Sequence, residues 1–147
     1  LVLSSPRSIP FWNTSLIPLQ YLGSALASAA GVAYLVRSPA SSRITAVVAL
    51  VSVLATLAFS LAHIQNARSR RGAARMSADK VMKGGLAPHF LWGNLVLGLM
   101  VPGVILVLHL ASELAGGVLA LAGVLLLAGN FLSKYGVFKA GYYAPLL

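Results

Sequence analysis

The sequence predicts an all-α integral membrane protein, a four-helix bundle with both termini on the cytoplasmic side. Three observations carry that reading. Four long apolar runs, at about residues 16–36, 44–64, 90–112 and 114–133, hold nearly all of the hydrophobicity of the 147 residues. Only 9% of the residues are charged, against roughly 25% in a soluble domain, and the mean hydropathy is +0.88. The eleven Lys and Arg, set against Asp79 and Glu113 alone, fall between the runs rather than inside them. Each run is close to the ~20 residues that carry a helix across hydrocarbon. Lipid offers no partner to a backbone amide, so such a run must pair its own, as a helix does.

Residues 1–15 read as an interfacial lead-in. Pro6 and Pro10 interrupt helix formation, and Phe11-Trp12 supply amphipathic rings suited to the headgroup zone. Asn13-Thr14-Ser15 offers capping side chains to the first span, which stops near Arg37-Ser38-Pro39. A short turn over residues 40–43 makes spans one and two an antiparallel hairpin, the second finishing around His63-Ile64. The one sizeable polar segment, 65–89, contains Ser77-Ala78-Asp79-Lys80 among good helix formers, then Gly84-Gly85 and Pro88. It predicts a short surface helix followed by a turn. The third span starts at Phe90-Leu91-Trp92, the fourth follows a tight turn at Ala115-Gly116-Gly117, and a tail runs from Lys134. The chain begins at Leu1 rather than Met, which suggests a processed product or part of a longer polypeptide.

Four crossings put the lead-in, the 65–89 loop and the tail on one side. That side collects Arg7, Arg68, Arg70, Arg71, Arg75, Lys80, Lys83, Lys134 and Lys139; the other has Arg37 and Arg43. The positive-inside rule makes the nine-cation side cytoplasmic. The net charge of +9 is thereby explained as topology-setting charge, with no nucleic-acid partner required. The absence of cysteine rules out disulfides, thiol redox chemistry and an iron–sulfur cluster held by this chain. Small residues form packing stripes: Gly23, Ala27 and Gly31 in the first span, Gly116 and Ala120 at the start of the fourth.

Polar groups inside a membrane are costly, so each is a candidate. His109 and Glu113 lie four apart on one face of the third span, suited to a proton relay or to a quinone carbonyl, with helix-end solvation as the bland alternative. Pro102 would kink that span and free a carbonyl. His63 and His89, near the ends of spans two and three, could ligate a haem only if both faced inward; their positions suggest solvated interface histidines. Asn94 and Asn130 read as helix-packing amides, bonding between helices. Tyr135, Tyr142 and Tyr143 suit an aromatic belt, with Lys134 and Lys139 snorkelling to phosphate. No metal-ligand spacing, phosphate loop or nucleophilic triad is present.

Three stretches resemble the NrfD/polysulfide reductase membrane-subunit family. They are Ile9-Pro10-Phe11-Trp12-Asn13-Thr14-Ser15-Leu16-Ile17-Pro18 with Ser24-Ala25-Leu26-Ala27-Ser28; Phe90-Leu91-Trp92-Gly93 with Gly98-Leu99 and Val101-Pro102; and the run from Gly129-Asn130-Phe131 to Lys139-Ala140-Gly141. The likeness is to the family's C-terminal four-helix half. It implies a membrane anchor subunit of a respiratory oxidoreductase in a prokaryotic cytoplasmic membrane. Such a subunit exchanges electrons between the quinone pool (menaquinone or ubiquinone) and a ferredoxin-like iron–sulfur subunit, with further oxidoreductase subunits as partners. The family's quinone site lies mainly in its other half, so no quinone ligands carry over to numbered positions here. Two other classes stay open: a structural scaffold without a quinone site, and a small multi-helix transporter, which would need an acid nearer the bilayer midplane.

Overall fold

The computed structural model describes residues 9–36, 43–112 and 114–142, and every regular element in them is helical. These are α1 (Leu16–Leu35), α2 (Arg43–Ser69), α3 (Ala73–Met82), a π-helical segment (Pro88–Met100) continuous with α4 (Val101–Ala111), and α5 (Gly116–Ala140). Four spans, Leu16–Leu35, Arg43–Ser69, Pro88–Ala111 and Gly116–Ala140, are long and apolar enough to cross a membrane. This is a multi-pass membrane protein.

Helix-to-helix partners run in opposite directions along the sequence, so neighbours are antiparallel. On α1, Gln20, Ser24 and Gly31 meet Ser133, Asn130 and Gly123 of α5 in turn. On the π segment, Gly93 and Gly98 meet Leu132 and Gly129. α2 packs against α1 on one side and α4 on the other, closing a ring of four spans. The surface is inside-out relative to a soluble protein. Ile44, Trp92 and Phe131 stand exposed, while Gln20, Ser52, Thr56, Ser60, His63, Asn94 and Ser133 are buried.

Close approach is what the small residues supply. A β-carbon on Gly23 would lie 2.7 Å from Thr56 Oγ1, and one on Gly123 would lie 2.5 Å from the Gly31 carbonyl oxygen. At Gly98 and Gly129 the two backbones touch, leaving no room for a side chain on either. In a bilayer such contact gives helices the dispersion that lipid otherwise supplies. The first-span stripe therefore packs as expected. In α5 the packing row is Ala122, Gly123, Leu126 and Gly129 rather than Gly116 and Ala120, because the first turn of α5 is exposed and Gly116 has no neighbour to approach.

Two helices outrun the apolar runs that announce them. α2 continues to Ser69 and α5 to Ala140, because polar Gln65, Asn66, Lys134 and Lys139 are no obstacle to helical hydrogen bonding once the helix leaves hydrocarbon. The third span begins as a 13-residue π run that closes with an i→i−5 bond from the Val101 amide to the Val96 carbonyl. π geometry usually appears as single-turn bulges at functional sites. It reverts to α at Val101-Pro102, and Pro102 is fully buried there.

α3 does form in the polar segment, after a turn in which Gly72 adopts φ +71°. It is more than a surface helix. Ala74, Ser77, Ala78 and Val81 are buried, so α3 closes one end of the bundle beneath α2, α5 and the π segment. The lead-in folds against the same end. The Trp12 indole Nε1 donates to the Val137 carbonyl at 3.0 Å, and Arg70 Nη1 donates to the carbonyls of Pro10 (3.4 Å) and Asn13 (3.2 Å). Phe11 is consequently 2% exposed rather than set in the headgroup zone. Thr14 Oγ1, not Ser15, accepts the Leu16 amide at the head of α1.

Candidate functional site

The bundle interior carries a polar seam. Much of it is self-satisfied by hydroxyls bonding back onto their own helix: Ser24 to the Tyr21 carbonyl, Ser52 to Val48, Thr56 to Ser52. Such back-bonding hides a hydroxyl at little cost. The Asn130 amide reaches across helices, donating from Nδ2 to the Ser24 carbonyl at 3.1 Å and to Ser28 Oγ. Asn94 is 1% exposed, and its Nδ2 has no hydrogen-bond partner.

At the α3 end the seam widens into a nest drawn from three spans. Gln20 of α1 donates from Nε2 to Ser133 Oγ of α5 at 3.2 Å. Its Oε1 is buried without a partner, as are Ser60 Oγ and both ring nitrogens of His63 on α2. These side chains are almost wholly enclosed, at 2%, 1% and 3% exposure. Gln20, Ser60 and His63 line one cavity of about 10 Å³, walled otherwise by Phe11, Ile64, Val81, Phe90, Gly136 and Val137. The Phe11 ring stands edge-on to the His63 imidazole at 4.5 Å between centroids. Burial without pairing is expensive in any low-dielectric setting, and an ionisable side chain such as His63 inside a membrane-spanning bundle is a candidate functional residue.

The expectation of a solvated His63 is overturned. The lead-in and α3 both fold over the end of α2 and shut the imidazole away from water. His89 is exposed, its ring 6.3 Å from that of Tyr135, so the two histidines do not face a common ligand. Among the described residues no group of three His, Cys, Asp or Glu side chains could hold a metal ion.

His109 occupies the last turn of α4, half-buried, and its Nδ1 accepts the Leu114 amide at 3.2 Å. That bond caps the turn into α5 and leaves Nε2 as the ring atom free for other work. Glu113 lies outside the described residues, as do Arg7, Arg37 and Tyr143. The start of α2 is tied to the same turn by Arg43, whose Nη2 donates to the Leu110 carbonyl at 3.3 Å.

Between α2 and α4 runs an apolar groove of about 300 Å³, floored by Val53, Leu57, Leu99 and Gly103 and walled by Leu50, Leu54, Val104 and Val107. It is of the size that holds small molecules, about 300–1,000 Å³; the His63 cavity is smaller by more than an order of magnitude. At the α3 end, cations sit over aromatic rings. Lys80 lies 4.8 Å from the Tyr142 centroid, Lys134 5.7 Å from Tyr21 and Lys139 5.8 Å from Tyr135. Asp79, the only described acid, faces Arg68 at 3.7 Å and Arg75 at 3.9 Å, too exposed to contribute much. No curated protein and no solved structure matches the chain. The family model described as "Polysulphide reductase, NrfD" matches residues 1–145.

Proposed function

The chain belongs to the NrfD, polysulphide reductase, family, and from that premise we propose that it serves as the membrane anchor subunit of a respiratory oxidoreductase. In that role it passes electrons between the quinone pool and an iron–sulfur partner subunit, in a prokaryotic cytoplasmic membrane. The observation that carries the proposal is the family match over nearly the whole chain. The absence of cysteine supports a division of labour in which the clusters belong to a ferredoxin-like partner. The end bearing Arg68, Arg70, Arg71, Arg75, Lys80 and Lys83 is the surface offered to that partner, and it faces the cytoplasm under the positive-inside rule.

The fit to a quinone is uneven across the molecule. The His63 cavity has no room for a ring. The α2–α4 groove suits an isoprenoid tail, being lined wholly by apolar residues and Gly103. His109 is not part of that lining and falls on the face of α4 away from Gly103, Val104 and Val107, so His109, with Glu113 as its proton partner, is a separate candidate for a quinone carbonyl. Quinone supplies a two-electron, two-proton couple when bound; these residues would orient a carbonyl and hold a proton at Nε2. A photoreactive quinone analogue tests this. Labelling of peptides containing Leu50–Leu57 and Val104–Leu108 is expected, and labelling confined to other subunits overturns a quinone role for this chain.

A structural role without a quinone site is the second reading, favoured by the capping bond from His109 Nδ1. His109→Asn separates the two, since an Asn carbonyl can retain an acceptor for the Leu114 amide but cannot relay a proton. Unchanged quinol turnover supports the scaffold, and a loss of tenfold or more supports the relay. Partner identity is tested by mild detergent extraction from native membranes with mass spectrometry of whatever stays bound. A multi-cluster ferredoxin-like subunit is expected; a homodimer with no redox partner would move the transporter reading to first place.

A further inference from the structure

We propose that the groove between the last turns of α2 and the end of α3 binds one anionic phospholipid, its phosphate against Arg68 and an acyl chain along Leu61. The groove, about 610 Å³, is lined by Leu61, Ile64, Gln65, Arg68 and Ser69 of α2 and by Met82 of α3. Leu61, Gln65 and Arg68 stand at i, i+4 and i+7, so they share one face of the helix. Polarity rises along that face in order: a hydrocarbon side chain, an amide, a guanidinium, then the Ser69 hydroxyl. The apolar run of α2 ends at Ile64, so the groove straddles the boundary between hydrocarbon and headgroups. From Leu61 to Arg68 is about 10 Å along the axis, enough to cross an interfacial layer of about 5–8 Å.

The charge and the free donors fit an anion. Asp79, the one acid of the 65–89 segment, is shared between Arg68 Nε at 3.7 Å and Arg75 Nε at 3.9 Å, so it is outnumbered. Among the described residues no hydrogen bond occupies Nη1 or Nη2 of Arg68. That pair can therefore fork onto two phosphate oxygens, the geometry arginine favours. Arg70 and Lys80, by contrast, are already donating to backbone carbonyls. A free phosphate would leave the apolar end of the groove bare, where Leu61 is 47% exposed; an acyl chain covers it. Basic pockets beside membrane helices hold anionic headgroups on the same principle. The inference is independent of the redox reading, because it concerns the flank of α2 and α3 and not the electron path.

The test is native mass spectrometry of the intact, delipidated protein with dioleoyl-phosphatidylglycerol or dioleoyl-phosphatidylcholine added at equal concentration. One phosphatidylglycerol is expected to stay bound, at least about fivefold more tightly than phosphatidylcholine, the effect of one basic residue near an anionic surface. Equal retention of the two lipids overturns the proposal. Arg68→Gln is expected to abolish the preference, while Arg71→Gln, which removes a cation outside the lining, keeps it. If both variants lose it alike, the attraction is diffuse and the groove is no site. Inorganic phosphate that displaces phosphatidylglycerol, beyond the effect of chloride at the same ionic strength, marks a free-anion site and overturns the lipid. If Arg68→Gln leaves lipid retention unchanged but strips the iron–sulfur partner from native extracts, the groove is a protein interface and the proposal falls.

Discussion

Gly123→Ala offers the sharpest test of how the bundle is held together. The new β-carbon would sit 2.5 Å from the Gly31 carbonyl oxygen and 3.3 Å from its carbon. Restoring ordinary contact at about 3.4 Å requires α1 and α5 to part by about 0.9 Å. The obstacle is backbone, so no rotamer change relieves it. The same pair of helices shares the Asn130–Ser24 bond at 3.1 Å and the Gln20–Ser133 bond at 3.2 Å, and a shift of that size would stretch both out of range. Overpacking of this kind costs about 1–3 kcal/mol. Removing a helical glycine returns about 0.5–1 kcal/mol, leaving a net loss centred on about 1 kcal/mol and at most about 2.5 kcal/mol. At about 2–4 °C per kcal/mol for a chain near this size, melting should fall by about 2–5 °C in detergent and by at most about 10 °C. Gly103→Ala is the control. Its β-carbon would meet only Val53 Cγ1, at a comfortable 3.6 Å, so that variant should keep or raise the melting temperature. If both variants melt alike, or Gly123→Ala melts no lower than the parent, backbone contact is not what limits the packing.

Further expectations follow from the polar contacts. Asn130→Leu removes the interhelical bonds to Ser24 and Ser28 and should cost about 0.6–2 kcal/mol, measured by thermal unfolding. Trp12→Phe keeps the ring but loses the bond to the Val137 carbonyl, about 1 kcal/mol; limited proteolysis should then cut the lead-in earlier. Because the chain has no cysteine, single cysteines report topology cleanly. Ser69→Cys should react with an impermeant thiol reagent only from the cytoplasmic side and Ser112→Cys only from the opposite one; the reverse pattern would refute the orientation.

Four spans were legible because hydrophobicity is a property of composition, and burial in lipid leaves that mark whatever the helices touch. Ends were less so. Hydropathy stops at Ile64 while α2 runs to Ser69, since a helix needs hydrogen bonds and not apolar side chains. His63 is the instructive case. Its position near the end of an apolar run suggested water, but depth in the sequence does not reveal that Phe11, 52 residues earlier, and Val81, 18 later, fold over it. The nest depends on side chains from three spans converging, and no local spacing encodes that. One signal was available: Gln20, Ser60 and His63 are strong polar groups inside or beside apolar runs. The π run left no signature beyond Gly93, Gly98 and Pro102.

Four of the side chains that tie distant parts together share a chemical asymmetry. Trp12, Arg43, Arg70 and Lys80 each donate from a side chain to a backbone carbonyl, those of Val137, Leu110, Pro10 with Asn13, and Lys139. Every residue type possesses that acceptor, so the receiving positions are free to drift without breaking the clasp. The donors are not. In a saturation substitution library, intolerance at this end of the protein should therefore gather on Trp12 and Arg70, while Asn13, whose own side chain is exposed, accepts nearly any replacement.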